Sequence, residues 1–258
     1  ASCSFTIYEP DLTMGGKGYE KLEDALAVAR QTPEADTITI QKDMSISSGL
    51  VIDTDVTITA DKAVTITAAD SQTGGMIRIA SGNVTIAGAS EAAKITLAAG
   101  KNTAYVISNN GGDVVLTNVH LAGNKNTASD KASGIFNYEG TATIKSVTIA
   151  DMVKGDGIYV VDGTTVNLDD VTVSGSGRYG IKVKGELNIS NTVHSNHALS
   201  VSGCIEHAID VENGGKVNCA FENVSADTYV IKLFDNEKKG LNVREGGQAE
   251  LPNLSEES

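Results

Sequence analysis

Apolar and polar residues alternate in short runs along most of the chain. Stretches such as Thr37-Ile38-Thr39-Ile40 and Gly180-Ile181-Lys182-Val183 put every second side chain on one apolar face, which is the period of an extended strand. The runs repeat. One unit reads apolar-x-(Asn/Asp/Ser)-(Val/Thr)-x-apolar, as in Leu116-Thr117-Asn118-Val119-His120-Leu121, Ile144-Lys145-Ser146-Val147-Thr148-Ile149 and Leu168-Asp169-Asp170-Val171-Thr172-Val173, with looser copies at 189–194 and 221–226. A second unit, Gly/Ala-apolar-x-apolar, follows after a loop of variable length: Gly157-Ile158-Tyr159-Val160, Gly180-Ile181-Lys182-Val183, Ala208-Ile209-Asp210-Val211 and Gly240-Leu241-Asn242-Val243. Copies recur every roughly 21 to 32 residues, so each repeat holds three short strands and three turns.

A strand of three to five residues with one apolar face is too weak to stand alone. Stacking the repeats at a spacing of ~4.8 Å buries every inward row at once and makes a solenoid in which each rung contacts its neighbours. About seven or eight rungs fit between Thr37 and Leu251. The column Asn118, Ser146, Asp170, Asn191, Asn223 falls at a two-residue step between strands, where a sharp bend calls for left-handed backbone that Asn and Asp tolerate. Ahead of the repeats, Tyr19, Leu22, Leu26 and Ala29 lie on one face of a helix over 19–30, which Thr32-Pro33 ends. This helix, following a short strand from Phe5 to Tyr8, is expected to cover the open end of the core. The far end shows no such signal, which suggests that the chain continues or that a partner or the tail covers it.

The three-strand unit, the Asn-bearing short turn and the variable third loop resemble the right-handed, single-stranded parallel β-helix of the pectate-lyase-like superfamily. The entry segment resembles β-helix domains of bacterial surface, adhesin-like proteins. The resemblance implies an all-β fold with three strands per rung, divided as an N-terminal strand and capping helix (1–34), the parallel β-helix (35–251) and an acidic tail (252–258).

Charge and composition narrow the function. The 33 acidic against 20 basic residues give a net charge of −13, which disfavours a nucleic-acid partner, since phosphate recognition rests on Lys and Arg. No run approaches the ~20 apolar residues that a helical membrane span needs. The first residue, Ala1, is not Met, which suggests a processed or trimmed end, and the resemblance points to an extracellular or cell-surface location. Three cysteines make no disulfide framework, and Cys204 and Cys219 sit in apolar patterns as small core residues.

Catalytic signatures of the resembled family are largely missing. There is no Arg-x-Pro-x-x-Arg of a pectate lyase, and Asp169-Asp170 stands without the other motifs of an inverting hydrolase, which needs two carboxylates at about 6.5–9.5 Å. Asp170 falls in the turn column, so the pair reads as turn chemistry. No zinc spacing or calcium loop is present, and neither a metal nor a cofactor is expected. In the resembled superfamily, ligands bind on the outer face of the strand after the long loop. That face carries Arg78, Phe136, Tyr159, Lys182, Asp210 and Asn242; Asp156, Tyr179, His207 and Lys239 stack just before it, and Arg178, Glu206 and Lys238 form the next column. The ligand-binding candidates are Asp156, Tyr159, Arg178, Tyr179, Lys182, Glu206, His207 and Asp210, with a glycan or a host or cell-surface protein as partner. The competing account is a solvated face with surface ion pairs worth ~0–1 kcal/mol each. The leading expectation is a non-catalytic, adhesin-like module; a polysaccharide lyase or hydrolase and a purely structural stalk are the alternatives.

Overall fold

The structure, a computed structural model, describes residues 9–32, 37–192, 197–221, 231–250 and 254–257. It is an all-β solenoid of about seven turns with one α-helix. Three parallel ladders run along it. The first links Thr37–Ile40, Val56–Ala60 and Asn83–Gly88 to residues 113–117, 141–145 and 165–169, then to Glu186–Ser190, Lys216–Ala220 and Gln248–Ala249. The second begins at Met44–Ile46 and Val64–Ala68, passes through Ile95–Ala98 and Val119–Ala122, and ends with Ile231–Phe234 and Leu254–Glu257. The third, which carries the candidate site, runs from Leu50–Ile52 and Gly74–Ile79 through residues 103–109 and 133–137 to Ile158–Val160, Ile181–Val183, Ile209–Val211 and Leu241–Val243.

The alternation that predicts strands also builds the core. Ile58, Ile86, Leu116, Ile144, Leu168 and Ile189 occupy one register row of the first ladder, and each is at most 1 % exposed. Full burial of a Leu or Ile side chain stabilises by about 1.5–3 kcal/mol, so the shared row holds together strands that could not persist singly. The step between first and second ladders bends at Asn118 (φ 51°), Ser146 (φ 52°) and Asp170 (φ 59°), in left-handed backbone as the turn column predicts. Asp170 also accepts a 2.9 Å hydrogen bond from the Ser146 hydroxyl, and Asp169 accepts one from the Thr192 backbone N–H at 3.1 Å. Asn191 departs from the column: it is buried and does not share the positive φ. Asn223 lies outside the described residues.

Polar side chains are buried as well, two of them as a stacked pair. Asn109 and Asn137, fully buried in one row of the third ladder, make an amide ladder: Asn109 Nδ2 donates to Asn137 Oδ1 at 2.8 Å and to the Gly112 carbonyl at 2.9 Å, while its Oδ1 accepts the Gly112 N–H at 3.0 Å. The amides satisfy the backbone where strands Thr103–Thr117 and Ser133–Ala150 turn the corner from third to first ladder without a break.

At the N-terminal side, Leu12–Met14 and Lys17–Tyr19 form a hairpin through Gly15 (φ 55°) and Gly16 (φ 76°), a two-residue turn that needs positive φ at both positions. Leu12–Met14 then lies antiparallel on Thr37–Ile40. Helix α1 spans Leu22–Ala29 and buries Leu22, Ala25, Leu26 and Ala29. It is shorter than the periodicity suggests: Tyr19 belongs to the hairpin, because pairing with Leu12 captures its backbone, yet its ring still packs against the core. Phe5–Tyr8 lies outside the described residues. In the stretch read as an acidic tail, Leu254–Glu257 adds a parallel strand to the second ladder, the open backbone edge of Ile231–Phe234 supplying its partners. Among the described residues no helix is long and apolar enough to cross a membrane. Cys204 and Cys219 are free thiols; burial pushes them up to about 11 and about 12, as befits core-lining groups rather than nucleophiles.

Candidate functional site

The third ladder owes its geometry to glycine. A Cβ on Gly157 would stand 2.3 Å from Val173 Cγ1 and 2.5 Å from the Gly180 carbonyl, and one on Gly180 would stand 2.2 Å from Val201 Cγ1. Such contacts leave no room for a side chain, so at these two rungs the chain enters the ladder pressed against its neighbour, whereas the next rung has Ala208 at this position. The residue before the glycine and the one two places after it then stack regularly. Along the outer face the register row is Val51, Arg78, Ser108, Phe136, Tyr159, Lys182, Asp210, Asn242. Backbone bonds from Gly134 to Asp156, Gly157 to Tyr179, Gly180 to His207 and Ala208 to Lys239 set Asp156, Tyr179, His207 and Lys239 in the preceding row.

This face gathers Tyr105, Phe136, Tyr138, Tyr159 and Tyr179, five of the chain's eleven aromatic residues. Ring centroids of Tyr105 and Phe136 lie 4.7 Å apart, those of Phe136 and Tyr159 5.3 Å apart with the planes at 81°, and Tyr138 stacks on Phe136 at 6.1 Å. Lys182 Nζ sits 4.8 Å from the Tyr159 ring centre and 5.8 Å from that of Tyr179, and the Arg178 guanidinium lies 5.5 Å from the Tyr179 ring. Each is a cation over an aromatic face, a contact worth roughly 0.5–1 kcal/mol where exposed and more where desolvated.

A cavity of about 210 Å³ opens into this strip, lined by Tyr105, Lys131, Ser133, Phe136, Asp156, Tyr159 and Arg178. Its most buried charged side chain is Asp156, 5 % exposed. Asp156 Oδ1 accepts the Tyr179 backbone N–H at 3.3 Å, and Arg178 Nε stands 3.8 Å away, beyond hydrogen-bond reach. Burial pushes the Asp156 carboxyl above its ordinary value; Arg178, the Tyr179 amide and Lys182 pull against this, and Asp210 adds to it. Carboxylate and aromatic wall together offer hydrogen-bond acceptors beside apolar ring faces.

The sequence-predicted residues divide into two groups. Asp156, Tyr159 and Arg178 share the cavity, with Lys182 and Tyr179 alongside it. Asp210, expected on the outer face, is wholly buried: Arg244 closes over it with Nη2 at 2.7 Å from Oδ2 and Nε at 3.2 Å from Oδ1, and Asn242 Nδ2 donates to Oδ1 at 2.6 Å. Arg244 also donates to the Tyr179 hydroxyl at 3.1 Å, bridging two turns. Glu212 joins this network, 3.2 Å from Lys182 and 3.1 Å from Lys184. Burial raises the Glu212 carboxyl, but hydrogen bonds from Lys184 and Lys182 outweigh it, and the net direction is below its ordinary value. His207 stacks on Tyr179 at 6.2 Å, and its Nδ1 accepts the Lys239 N–H at 3.1 Å. Glu206 pairs with Lys238 on the exposed rim, away from the cavity.

Tyr105, Lys131, Ser133, Glu212 and Arg244 are not among the residues singled out from sequence. A register shift between Thr103 and Tyr105 interrupts the alternation and hides Tyr105. Arg244 follows Asn242 by two, the spacing of one strand face, and that was its only signal. Among the described residues no group of three or more His, Cys, Asp or Glu side chains gathers as a metal site. Comparison with known proteins finds no family model, no curated protein and no solved structure that matches the chain.

Proposed function

We propose that this β-solenoid is a non-catalytic glycan-binding module, which holds its ligand in the cavity of the third ladder. One observation carries the reading: a buried, incompletely satisfied carboxylate at Asp156 sits beside Tyr105, Phe136 and Tyr159 in a solvent-open cavity. Sugars bind where an aromatic face covers their C–H groups and fixed polar groups meet their hydroxyls, and both are supplied here. The second buried carboxylate of the face, Asp210, is engaged by Arg244 and Asn242, so the pair of poised carboxylates that glycoside hydrolysis uses is not offered.

The solenoid architecture, the acidic balance and the sequence resemblance to adhesin-like β-helices support placing such a module on the surface of a bacterial cell or outside it. The small size of the cavity, about 210 Å³, supports a glycan over a protein partner. The experiment is a glycan array probed with the wild-type chain and Tyr159→Ala, alongside incubation with uronic-acid polysaccharides read by unsaturated product and reducing ends. Binding that Tyr159→Ala abolishes, with no turnover, is the expected result. Turnover, or an array with no signal, would end the reading.

A further inference from the structure

We infer that the ligand of this cavity is an uncharged pyranose residue, and that Asp156 recognises it by accepting hydrogen bonds from two adjacent hydroxyl groups. This rests on the glycan-binding reading above and goes further by naming the sugar class and the recognising atoms.

Size comes first. At about 210 Å³ the cavity falls below the roughly 300–1,000 Å³ that drug-sized ligands occupy, so it takes one ring rather than a stretch of chain. The acceptor count follows. An ionised carboxylate offers about four acceptor positions. Among the described contacts Asp156 uses one, for the Tyr179 N–H, and the Arg178 Nε at 3.8 Å makes no hydrogen bond. Asp210, on the same face, takes three donors from Arg244 and Asn242. Asp156 therefore lines the cavity with unused acceptor capacity, and neighbouring hydroxyls on a sugar ring are spaced to meet a carboxylate.

Charge then excludes the alternatives. An ammonium or other cationic ligand would meet Lys131 and Arg178 in the same cavity, with Lys182 beyond Tyr159. A carboxylated or phosphorylated sugar could meet Lys131 and Arg178, but only by bringing a second negative charge into the cavity that Asp156 lines, where burial already disfavours the first. A neutral polyol satisfies both signs: its hydroxyls donate to Asp156 and accept from the cations, while Tyr105, Phe136 and Tyr159 cover its apolar ring face.

The test immobilises neutral oligosaccharides with hexose or deoxyhexose ends, the same set after mild periodate oxidation, which splits the carbon–carbon bond between adjacent hydroxyls, and a set ending in uronic or sialic acids. The wild-type chain should bind at least one neutral member. That binding should fall roughly tenfold to a hundredfold after periodate, and by a similar factor in Asp156→Asn, which removes a charged acceptor. A thermal melt of Asp156→Asn at or above the wild-type value excludes misfolding as the cause, and Lys131→Ala should weaken binding less. Equal binding before and after oxidation, unchanged affinity in Asp156→Asn, or binding confined to the acidic set would overturn the inference and leave the glycan-binding reading standing. Failure to bind any member of the three sets would remove both.

Discussion

Asp156 and Asp210 are two buried carboxylates on one face of one solenoid, and the protein treats them differently. Asp210 sits mid-strand, wholly enclosed, with a two-pronged guanidinium and an amide directed at its oxygens. Asp156 lies just ahead of a strand, nearly as buried, with one backbone N–H at 3.3 Å and a guanidinium that stops short. Burying a charge is costly unless hydrogen bonds and an opposite charge compensate it, so the first arrangement reads as a structural clamp and the second as a group kept ready for something else. Stability given up at one residue, beside a cavity, marks function better than the presence of charge alone.

Breaking the clamp should have the largest effect. Arg244→Ala strips the guanidinium from Asp210 and leaves Asn242 as its remaining side-chain donor, and should destabilise by about 3 kcal/mol, the low end for removing a partner from a buried charge because Arg244 itself is half exposed. Urea unfolding measures it; a loss below about 0.5 kcal/mol, the range of ordinary surface changes, would erase the contrast between the two aspartates.

Asp156→Asn should move stability the other way, raising it by about 1 kcal/mol at neutral pH, in the range typical of relieving a functional site. The pH dependence follows from the raised carboxyl. The penalty of the charged form is fully present above the folded-state value and fades as the pH falls through it. It is absent below the ordinary carboxylate value of about 4, so wild type and Asp156→Asn should converge there. Of the groups around Asp156, Arg178, the Tyr179 amide and Lys182 oppose its rise and Asp210 reinforces it, while Lys131 also lines the cavity. Melting curves across acid to neutral pH test the sign.

Glu212 sharpens the comparison with an opposite effect of similar size. Its carboxyl lies below the ordinary value because Lys184 and Lys182 outweigh burial, so its stabilisation is present above about pH 4 and is lost as the pH falls through the folded-state value. Glu212→Gln should cost about 1 kcal/mol at neutral pH and nothing in acid. At the foot of the series, Lys238→Ala removes an exposed partner of Glu206 and should leave both melting temperature and ligand binding unchanged.

Much of this was legible in the chain. Period-two alternation, the Gly-apolar-x-apolar unit and the Asn/Ser/Asp step specify strands, ladders and bends, because one row of apolar side chains has to line up from rung to rung. The pattern also places Tyr159, Lys182 and Asp210 on one register row. It says nothing of how long side chains fold over that row. Asp210 occupies the same outward position as Lys182, and is enclosed by Arg244 and Asn242, which reach back from the next turn. Asn109 and Asn137 escape for the opposite reason: a polar residue in an alternating strand reads as outward, whereas here corner carbonyls and N–H groups inside the column need amide partners.

The hairpin at the start of the solenoid gives the molecule a direction. The first ladder opens on a strand that runs against all the others and is backed by the three-residue segment Lys17–Tyr19, with a lysine at its end. The Arg30 side chain takes the Val51 carbonyl at the lip of the third ladder. Among the described residues the outermost strand there is the three-residue segment Lys17–Tyr19, short and with Lys17 at its end, which makes it a poor template for another strand. The hairpin thus closes the backbone edge of Thr37–Ile40 with strands of the same chain, so that this edge is not open to a second column.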